Sequence, residues 1–415
     1  MKKYENYKDS GFEWLGMVPE HWEILPFKRG VSVNNGRDYK HVKSEDGYPV
    51  IGSGGQFAYA SDYLYDGEVI LLGRKGTIDK PRYFSGKFWT VDTMFYAIPN
   101  QKCIAKYMYY QALTIPFSFY STDTALPSMT QSDLGNHLMC FPPISEQRII
   151  ASYLDQKVGQ IDALISEKEK MVEDLKAYRS SLITETVTKG LDKEVEMKDS
   201  GVEWIGRIPS TWKSSKIGRI YSDIGSGTTP DSNNNLYYKE DGFNWLQTGD
   251  LTDGYITETS RHISQLAIDE KHMRFYPVDS IVVAMYGATI GKVGFLKIET
   301  STNQACCVLP PSENMDAMYM FYMMQASKEI LISNSIGGGQ PNISQSIIKE
   351  HIIPVPPLRI QKEIASYLQN KIGKIVSILS EQEHQLSDLK SYKSSLITEA
   401  VTGKIDLRDW QTKKS

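Results

Sequence analysis

Two segments of this chain occur twice, and this internal repeat constrains the fold more than any other feature of the sequence. The shorter segment, 8–22, returns as 198–212, an offset of 190 positions (198 minus 8). The longer segment, 142–185, returns as 356–399, an offset of 214 (356 minus 142). The stretches that follow the shorter segments, 23–140 and 213–354, share little identity. The sequence therefore predicts one scaffold, built twice, that carries two different inserts.

The longer repeated segment has the pattern of a long helix with a heptad seam. Its apolar residues recur at steps of three and four, which line one face of a helix, and polar residues fill the gaps. Proline pairs precede both helices, and Gly190 and Gly403 follow them, as expected at helix ends. Each helix of about 42 residues would be ~60 Å long. The seam residues are Leu154, Val158, Ile161, Ile165, Val172, Leu175 and Leu182, then Leu368, Ile372, Ile375, Leu379, Leu386, Leu389 and Leu396.

Matched seams predict that the two helices pair with each other, although two amphipathic helices that each pack on their own domain would show a similar pattern. Antiparallel pairing gives a pseudo-two-fold coiled coil with one insert at each end. The natural continuation after the second helix is the N-terminal motif 8–22, so the repeat is circularly permuted and the termini should lie close together.

The inserts have the pattern of mixed α/β domains. Apolar runs at 68–72, 89–98 and 280–284 predict strands, whereas 106–113 and 315–327 predict short helices. The expected fold class is therefore α+β, with two mixed α/β domains joined by the long antiparallel helices. The expected boundaries are 1–140 and 193–354 for the domains, and 141–192 and 355–415 for the helical regions.

Composition excludes several classes of protein. No apolar run approaches the roughly 20 residues of a membrane span, and no signal peptide follows the first lysines. The four cysteines form no Cys-x-x-Cys pair, which favours a reduced cytoplasmic protein over a zinc protein. The formal charge of -4 argues against a surface coated in positive charge for nucleic acid. By segment, that charge is about +1 for the first insert and about -4 for the second.

Catalytic motifs are expected to be absent. The stretch 287–293 resembles a phosphate-binding loop, but it has three residues between its glycines where four are needed, and Val293 stands where Ser or Thr is needed. Phe141-Pro142-Pro143-Ile144 resembles the core of an amino-methyltransferase site but lacks its polar and aromatic neighbours. His137 and His351 occupy equivalent repeat positions, which indicates a structural role. The sequence predicts neither a catalytic residue nor a metal ligand.

The whole pattern resembles the specificity subunits of type I restriction–modification systems. The residues that carry the resemblance are Lys8-Asp9-Ser10-Gly11, Glu13-Trp14, Gly16, Pro19 and Trp22 with their repeat at 198–212, the Pro-Pro…Gln motifs at 142–147 and 356–361, and the helix ends at 181–188 and 395–402. The resemblance covers nearly the full length of the chain.

That resemblance implies a non-catalytic DNA-recognition subunit. Each insert would be a target-recognition domain that reads one half of a split, asymmetric site in double-stranded DNA. Two methyltransferase subunits would dock on the helices and methylate adenine, and restriction/translocase subunits would join them. S-adenosylmethionine, ATP and magnesium would belong to these partners, and this subunit would need no cofactor.

The residues that contact DNA are predicted from glycine turns after strands. Arginine can pair with guanine, glutamine and asparagine with adenine, and lysine with phosphate. A solvated turn, or for Gln340 a backbone role, is the alternative. The candidates are Arg74, Lys75, Lys80 and Arg82 in the first insert, and Tyr286, Lys292, Gln340 and Asn342 in the second.

Two other classes of function remain possible on the sequence alone. The chain could be a coiled-coil adaptor for two protein ligands, or an enzyme with a fused methyltransferase or nuclease. The adaptor would leave the methylation pattern of cellular DNA unchanged when its gene is deleted. The enzyme would require the motifs that the sequence lacks.

Overall fold

The computed structural model describes residues 2–120, 127–335 and 342–411. The chain divides into two compact units. Unit 1 contains residues 1–169 and 383–415, and unit 2 contains residues 170–382. Each unit therefore contains one insert and part of each long helix.

The first half of the chain begins with short strands, continues into a longer run of strands and ends in the first long helix. Its strands are β1 (Tyr7–Asp9), β2 (Met17–Pro19), β3 (Glu23–Pro26), β4 (Val31–Asn35), β5 (Lys43–Ser44), β6 (Tyr48–Gly52), β7 (Gly55–Ala60), β8 (Tyr65–Gly73), β9 (Arg82–Thr90), β10 (Met94–Pro99) and β11 (Leu138–Phe141). Its helices are α1 (Ala105–Ala112), α2 (Phe117–Tyr120), α3 (Gln131–Asn136) and α4 (Ile144–Lys189).

The second half follows the same plan. Its strands are β12 (Met197–Asp199), β13 (Arg207–Pro209), β14 (Lys213–Lys216), β15 (Gly225–Ser226), β16 (Tyr238–Leu246), β17 (Gly254–Ile256), β18 (Arg261–Ile263), β19 (Phe275–Tyr276), β20 (Ile281–Ala284), β21 (Val293–Leu296), β22 (Thr300–Thr302), β23 (Cys306–Leu309) and β24 (Ile352–Val355). Its helices are α5 (Ile217–Ile220), α6 (Gln265–Lys271), α7 (Ala317–Ala326), α8 (Lys328–Ser333), α9 (Gln345–Glu350) and α10 (Leu358–Val401).

The insert of unit 1 is built on a seven-stranded sheet in the order β4-β10-β8-β9-β6-β7-β5. Strand β8 lies near its centre, and its apolar run 69–72 is buried, as expected for a strand covered on both faces. The prediction of one strand over 89–98 is wrong. The backbone turns after β9, where the Met94 amide donates to the Val91 carbonyl at 2.9 Å, and β10 begins there.

The insert of unit 2 has two sheets, in the orders β15-β23-β20-β21-β17 and β18-β16-β22-β19. Strand β20 is buried along its whole length, and helix α7 packs over β20 and β21. The inserts thus differ in sheet topology as well as in sequence, although each places a buried apolar strand, β8 or β20, at its core.

The repeated scaffold has the same local structure in both units. A two-stranded hairpin begins each copy, β1–β2 in unit 1 and β12–β13 in unit 2. A second antiparallel pair, β3–β11 or β14–β24, joins the start of each insert to its end. The next amide, that of Phe27 or Ile217, donates to the carbonyl of His137 or His351 at 2.8 and 3.0 Å.

The long helices bury the predicted seam. All fourteen seam side chains are buried or half-buried, and the polar residues that fill the gaps, Lys168 and Arg179 among them, are half-buried. Within unit 1, Lys393 pairs with Asp162 at 2.6 Å and Lys390 pairs with Glu169 at 2.8 Å. Since the residue number rises along one helix as it falls along the other, the helix segments of unit 1 run antiparallel, as predicted.

The chain termini meet in unit 1. The amide of Asp406 donates to the carbonyl of Lys2 at 2.9 Å. The ammonium of Lys404 donates to the carbonyls of Leu15 at 3.0 Å and Met17 at 2.5 Å. The prediction that the termini lie close together is therefore confirmed. Among the described residues, every helix is too short or too polar to traverse a lipid bilayer.

Candidate nucleic-acid interface

The loop after β8 is fixed to a segment that precedes α3. The amide of Met129 donates to the carbonyl of Arg74 at 3.0 Å, and Lys75 and Ser128 form an isolated β-bridge. The two amides at Arg74 and Lys75 also donate to the carbonyl of Thr93. The backbone at the predicted arginine–lysine pair is therefore held on both sides.

The side chain of Arg74 is held from behind and remains half-exposed. Its Nη1 donates to the carbonyl of Asp92 at 3.3 Å, and its guanidinium lies 5.9 Å from the centre of the Phe95 ring. Lys75 beside it is exposed. Both line a shallow depression together with Asn35 and residues 128–131. A guanidinium held in this way keeps other N–H donors free, and these can bind two acceptor atoms that lie side by side in one plane.

Gln131 connects this depression to a second one. Its Nε2 donates to the carbonyl of Val33 at 2.8 Å, and its Oε1 accepts from the side-chain Nδ2 of Asn35 at 3.4 Å. The second depression is lined by Lys28, residues 31–33, Gln131, Ser132, Gly135 and Asn136. We call the continuous surface the polar face of unit 1, and it comprises Lys28, Ser32, Asn35, Arg74, Lys75, Gln131 and Asn136.

Sequence reasoning missed most of this face. Lys28, Asn35 and Asn136 follow no strand that the sequence predicts, so the rule that selected Arg74 passed over them. Gln131 carried a usable signal, because Gln131-Ser132 and Gln345-Ser346 are among the few residues that the two inserts share.

The structure separates the four predicted residues of the first insert. Arg82 begins β9, opposite Leu71, and lines a different depression with Tyr83, Lys106 and Asp155. Lys80 is exposed in the intervening loop and lines neither depression. Only Arg74 and Lys75 share a surface, although all four lie within nine residues of sequence.

Unit 2 repeats the backbone arrangement with other side chains. The amide of Ile343 donates to the carbonyl of Met285 at 2.7 Å, which matches the link between Met129 and Arg74. Gln345 Nε2 donates to the carbonyl of Ile224 at 2.9 Å, as Gln131 does to Val33. Here the buried Met285 has the position of Arg74 directly after the strand, and the half-buried Tyr286 has the position of Lys75.

Two of the remaining candidates of the second insert, Lys292 and Asn342, lie beside the same loop. Lys292 is half-buried and closes the turn, since its amide donates to Thr289 and its carbonyl accepts from Ala284, both at 2.9 Å. Asn342 is exposed beside Ile343. Gln340 lies outside the described residues.

In each unit a tryptophan of the repeated motif stacks on a buried histidine at the end of the insert. Trp14 stacks on His137 with ring centres 5.2 Å apart, and Trp204 stacks on His351 at 5.1 Å. Burial lowers the pKa of both histidines to about 4, so both are neutral near pH 7.

A glutamine at the start of each long helix attaches the insert to the helix. Gln147 Oε1 accepts from the amide of Ile104 at 3.0 Å, and Gln361 Oε1 accepts from that of Asp316 at 2.8 Å.

No group of three or more His, Cys, Asp or Glu side chains in the described part of the chain could hold a metal ion. The four cysteines are buried and unpaired. Burial raises the pKa of Cys103 to about 11 and of Cys140 and Cys307 to about 12, which disfavours the reactive thiolate.

Comparison with known proteins identifies the family. The profile described as "Type I restriction modification DNA specificity domain" matches residues 22–174 and 209–387, which is most of the chain. The chain therefore belongs to this family, and the adaptor and fused-enzyme alternatives are not favoured.

Relatives and a solved structure agree with this assignment. The type I restriction enzyme MjaVIII specificity subunit of Methanocaldococcus jannaschii is 25% identical over 97% of this chain and 98% of its own length. The EcoBI specificity subunit of Escherichia coli is 21% identical over 94% of this chain and 87% of its own. A chain solved in work on assembly and conformational transition of the type I R-M system superposes with a TM-score of 0.69 at 15% identity, covering 94% of this chain and 99% of that one. The predicted fold class is confirmed.

Proposed function

We propose that this chain selects the DNA sequence on which a type I restriction–modification complex acts. Each insert reads one half of a split, asymmetric site through the loop that follows its buried strand. One observation carries this assignment of roles: both units fix that loop by the same backbone link, Met129 to Arg74 and Ile343 to Met285, yet present different side chains on it. A constant frame with variable side chains is what two readers of different bases require.

Catalysis then belongs to partner subunits. Two methyltransferase subunits bind the chain, methylate adenine and supply the S-adenosylmethionine site, and restriction/translocase subunits supply ATP and magnesium chemistry. The long helices support this division, because they leave large apolar side chains exposed that a partner would cover. On α4 these are Ile144, Leu164, Met171 and Tyr178, and on α10 they are Leu358, Val376, Ile378 and Tyr392.

The charge of the chain fits a subunit that shares its DNA contacts. A formal charge of -4 is too low for a protein that binds DNA tightly by itself, since phosphate contacts by Lys and Arg dominate such affinity. Partner subunits that contact the phosphates would allow this chain to contribute mainly base contacts. The four unpaired cysteines fit a reduced cytoplasmic compartment, which is where we place the complex.

Mapping methylated adenines in cells with and without the gene tests the function. We expect a split motif that disappears on deletion and returns when the gene is restored. Replacing 23–140 with the corresponding insert of a relative should change one half of the motif and keep the other. An unchanged methylation pattern on deletion would contradict the function, and a change in both halves would contradict the one-insert, one-half-site assignment.

A further inference from the structure

A lysine and a glycine exchange places between the two units. The residue after Phe27 is Lys28, whereas the residue after its counterpart Ile217 is Gly218. The residue two before His137 is Gly135, whereas the residue two before His351 is Lys349. Each unit therefore has one lysine and one glycine at these two positions, but in opposite order.

In unit 1 the two positions touch. A Cβ placed on Gly135 would lie 3.6 Å from the Cβ of Lys28 and 3.9 Å from its Cδ, so the lysine stem lies across the glycine. The ammonium of Lys28 is 2.6 Å from Asn136 Oδ1, a neutral acceptor. Lys28 lines the same depression as Gln131 and is exposed.

In unit 2 the two positions also touch, but the lysine comes from α9 and the glycine from α5. We call this contact, Lys28 with Gly135 in unit 1 and Gly218 with Lys349 in unit 2, the crossing. A Cβ placed on Gly218 would lie 3.2 Å from the Cβ of Lys349 and 3.1 Å from its carbonyl oxygen. The neighbouring carboxylate of Glu350 is paired with Lys216. Neither Lys28 nor Lys349 forms an ion pair with a described residue.

From this exchange we infer that the crossing is a phosphate-binding position in both units, with Lys28 and Lys349 as the equivalent charges. The inference rests on the proposed DNA recognition and deepens it. Two inserts of little shared identity each have a lysine at this contact, although the lysine comes from a different element in each. Packing alone would explain why a long apolar side chain lies over the glycine. It would not explain why that side chain ends in a positive charge in both units.

The distances suit a phosphate contact beside a base contact. Strand β4 connects the Lys28 end of the polar face to the Arg74 end, and its five residues span ~16 Å at ~3.3 Å each. The major groove is ~12 Å wide. If Arg74 enters the groove, Lys28 lies near the phosphates at the edge of that groove. There a lysine acts as a point charge and reads no base.

The salt dependence of DNA binding tests the inference. The complex of this chain with its methyltransferase subunits is titrated with duplex DNA that contains the mapped motif. Lys28→Met and Lys349→Met keep the stem and remove the charge. Each should make the negative slope of log K against log salt shallower by about 0.9, as expected for one lost phosphate contact, and leave the preference for the motif unchanged.

A variant that moves the lysine from position 28 to position 135 gives the more decisive test. The double variant Lys28→Gly, Gly135→Lys builds the unit 2 arrangement in unit 1, where the spacing at Gly135 admits a side chain, and it should restore the wild-type slope. Lys43→Met, on strand β5 at the opposite edge of the sheet from β4, is the matched control and should leave the slope unchanged. Melting temperatures of all variants establish that they fold.

Three results would overturn the inference. Wild-type slopes in both Lys→Met variants would make the lysines packing residues, and a changed base preference would make them base readers. A double variant that behaves like Lys28→Met would show that the crossing does not set the contact. Failure of the proposed function is distinguishable, because the wild-type complex would then show no preference for any split motif.

Discussion

Gly403 lies directly against Pro19, so that a Cβ at position 403 would be 2.3 Å from the proline Cδ. The end of the second long helix thus rests on the N-terminal hairpin motif of the same unit. In unit 2, Gly190 ends the first long helix against the second copy of the motif, where a Cβ would be 3.1 Å from Trp212 Cζ2. One structural joint therefore occurs twice, once between residues close in sequence and once between the two ends of the chain.

Replacing the two glycines by alanine should have unequal effects. Both have left-handed backbones, with φ of 72° at Gly403 and 81° at Gly190, which costs an alanine about 1 kcal/mol. Gly403→Ala adds an overlap with the rigid proline ring, so we expect a loss of at least about 2 kcal/mol in the free energy of unfolding. Gly190→Ala should lose about 1 kcal/mol. Urea denaturation of the full chain measures both, and equal losses would contradict the geometry.

Two equivalent tyrosines should also differ in their contribution to stability. The hydroxyl of Tyr319 lies 3.0 Å from the carbonyl of Val187 and 3.2 Å from that of Pro354. Tyr107 has the same position in unit 1, but Gln111 Nε2 also donates to both of the corresponding carbonyls. Tyr319→Phe should therefore cost about 1–2 kcal/mol and Tyr107→Phe less.

The position of Gln111 provides a control for the tyrosine prediction. Met323 lies one helical turn after Tyr319, as Gln111 does after Tyr107. The double variant Tyr319→Phe, Met323→Gln should regain part of the stability lost by Tyr319→Phe, since the amide can supply the missing donor. Thermal unfolding of the three variants under one condition makes the comparison. A double variant less stable than Tyr319→Phe would rule out this account.

The buried histidines should make the protein less stable in acid. Burial lowers the pKa of His137 and His351 from 6.5 to about 4, so the unfolded chain binds protons that the folded chain does not. Their contribution is fully present above about pH 6.5 and is lost progressively as the pH falls toward 4. Substitution by phenylalanine keeps an aromatic ring against the tryptophan and should reduce the drop in melting temperature between about pH 7.5 and about pH 5.

Phenylalanine removes a hydrogen bond at position 137 but not at position 351. His137 Nδ1 is 2.8 Å from the hydroxyl of Tyr120, whereas His351 Nε2 is buried without a partner among the described residues. His351→Phe should therefore be the less costly variant near neutral pH. A melting temperature that falls with pH as steeply in both variants as in the wild type would assign the acid sensitivity to other groups.

The sequence predicted the scaffold well because repetition and helix periodicity are local signals. The seam from Leu154 to Leu396, the glycine ends and the meeting of the termini all follow from spacing along the chain. The polar face was only partly predictable, because Lys28, Arg74 and Gln131 are brought together by strand order in the sheet. Strand order depends on long-range pairing, such as β10 between β4 and β8, which a single sequence does not encode in any short pattern.

Arg74 should determine one base of one half-site. Its guanidinium is held over Phe95 with donors free, and arginine pairs with guanine through two parallel hydrogen bonds that lysine cannot form. Arg74→Lys should therefore relax the methylation motif at a single position of the half-site read by the first insert, at a cost of about 1–3 kcal/mol in discrimination.

Arg82→Lys is the matched comparison for that variant. It makes the same chemical change only eight residues away, but Arg82 lines a separate depression with Lys106 and Asp155. We expect it to leave every position of the motif unchanged. Methylation mapping of cells that carry each variant reads both halves of the site at once. Relaxation in the Arg82 variant and not in the Arg74 variant would move the base-reading surface from the polar face to the depression around Arg82. Relaxation of the second half-site by Arg74→Lys would instead break the assignment of one insert to one half-site.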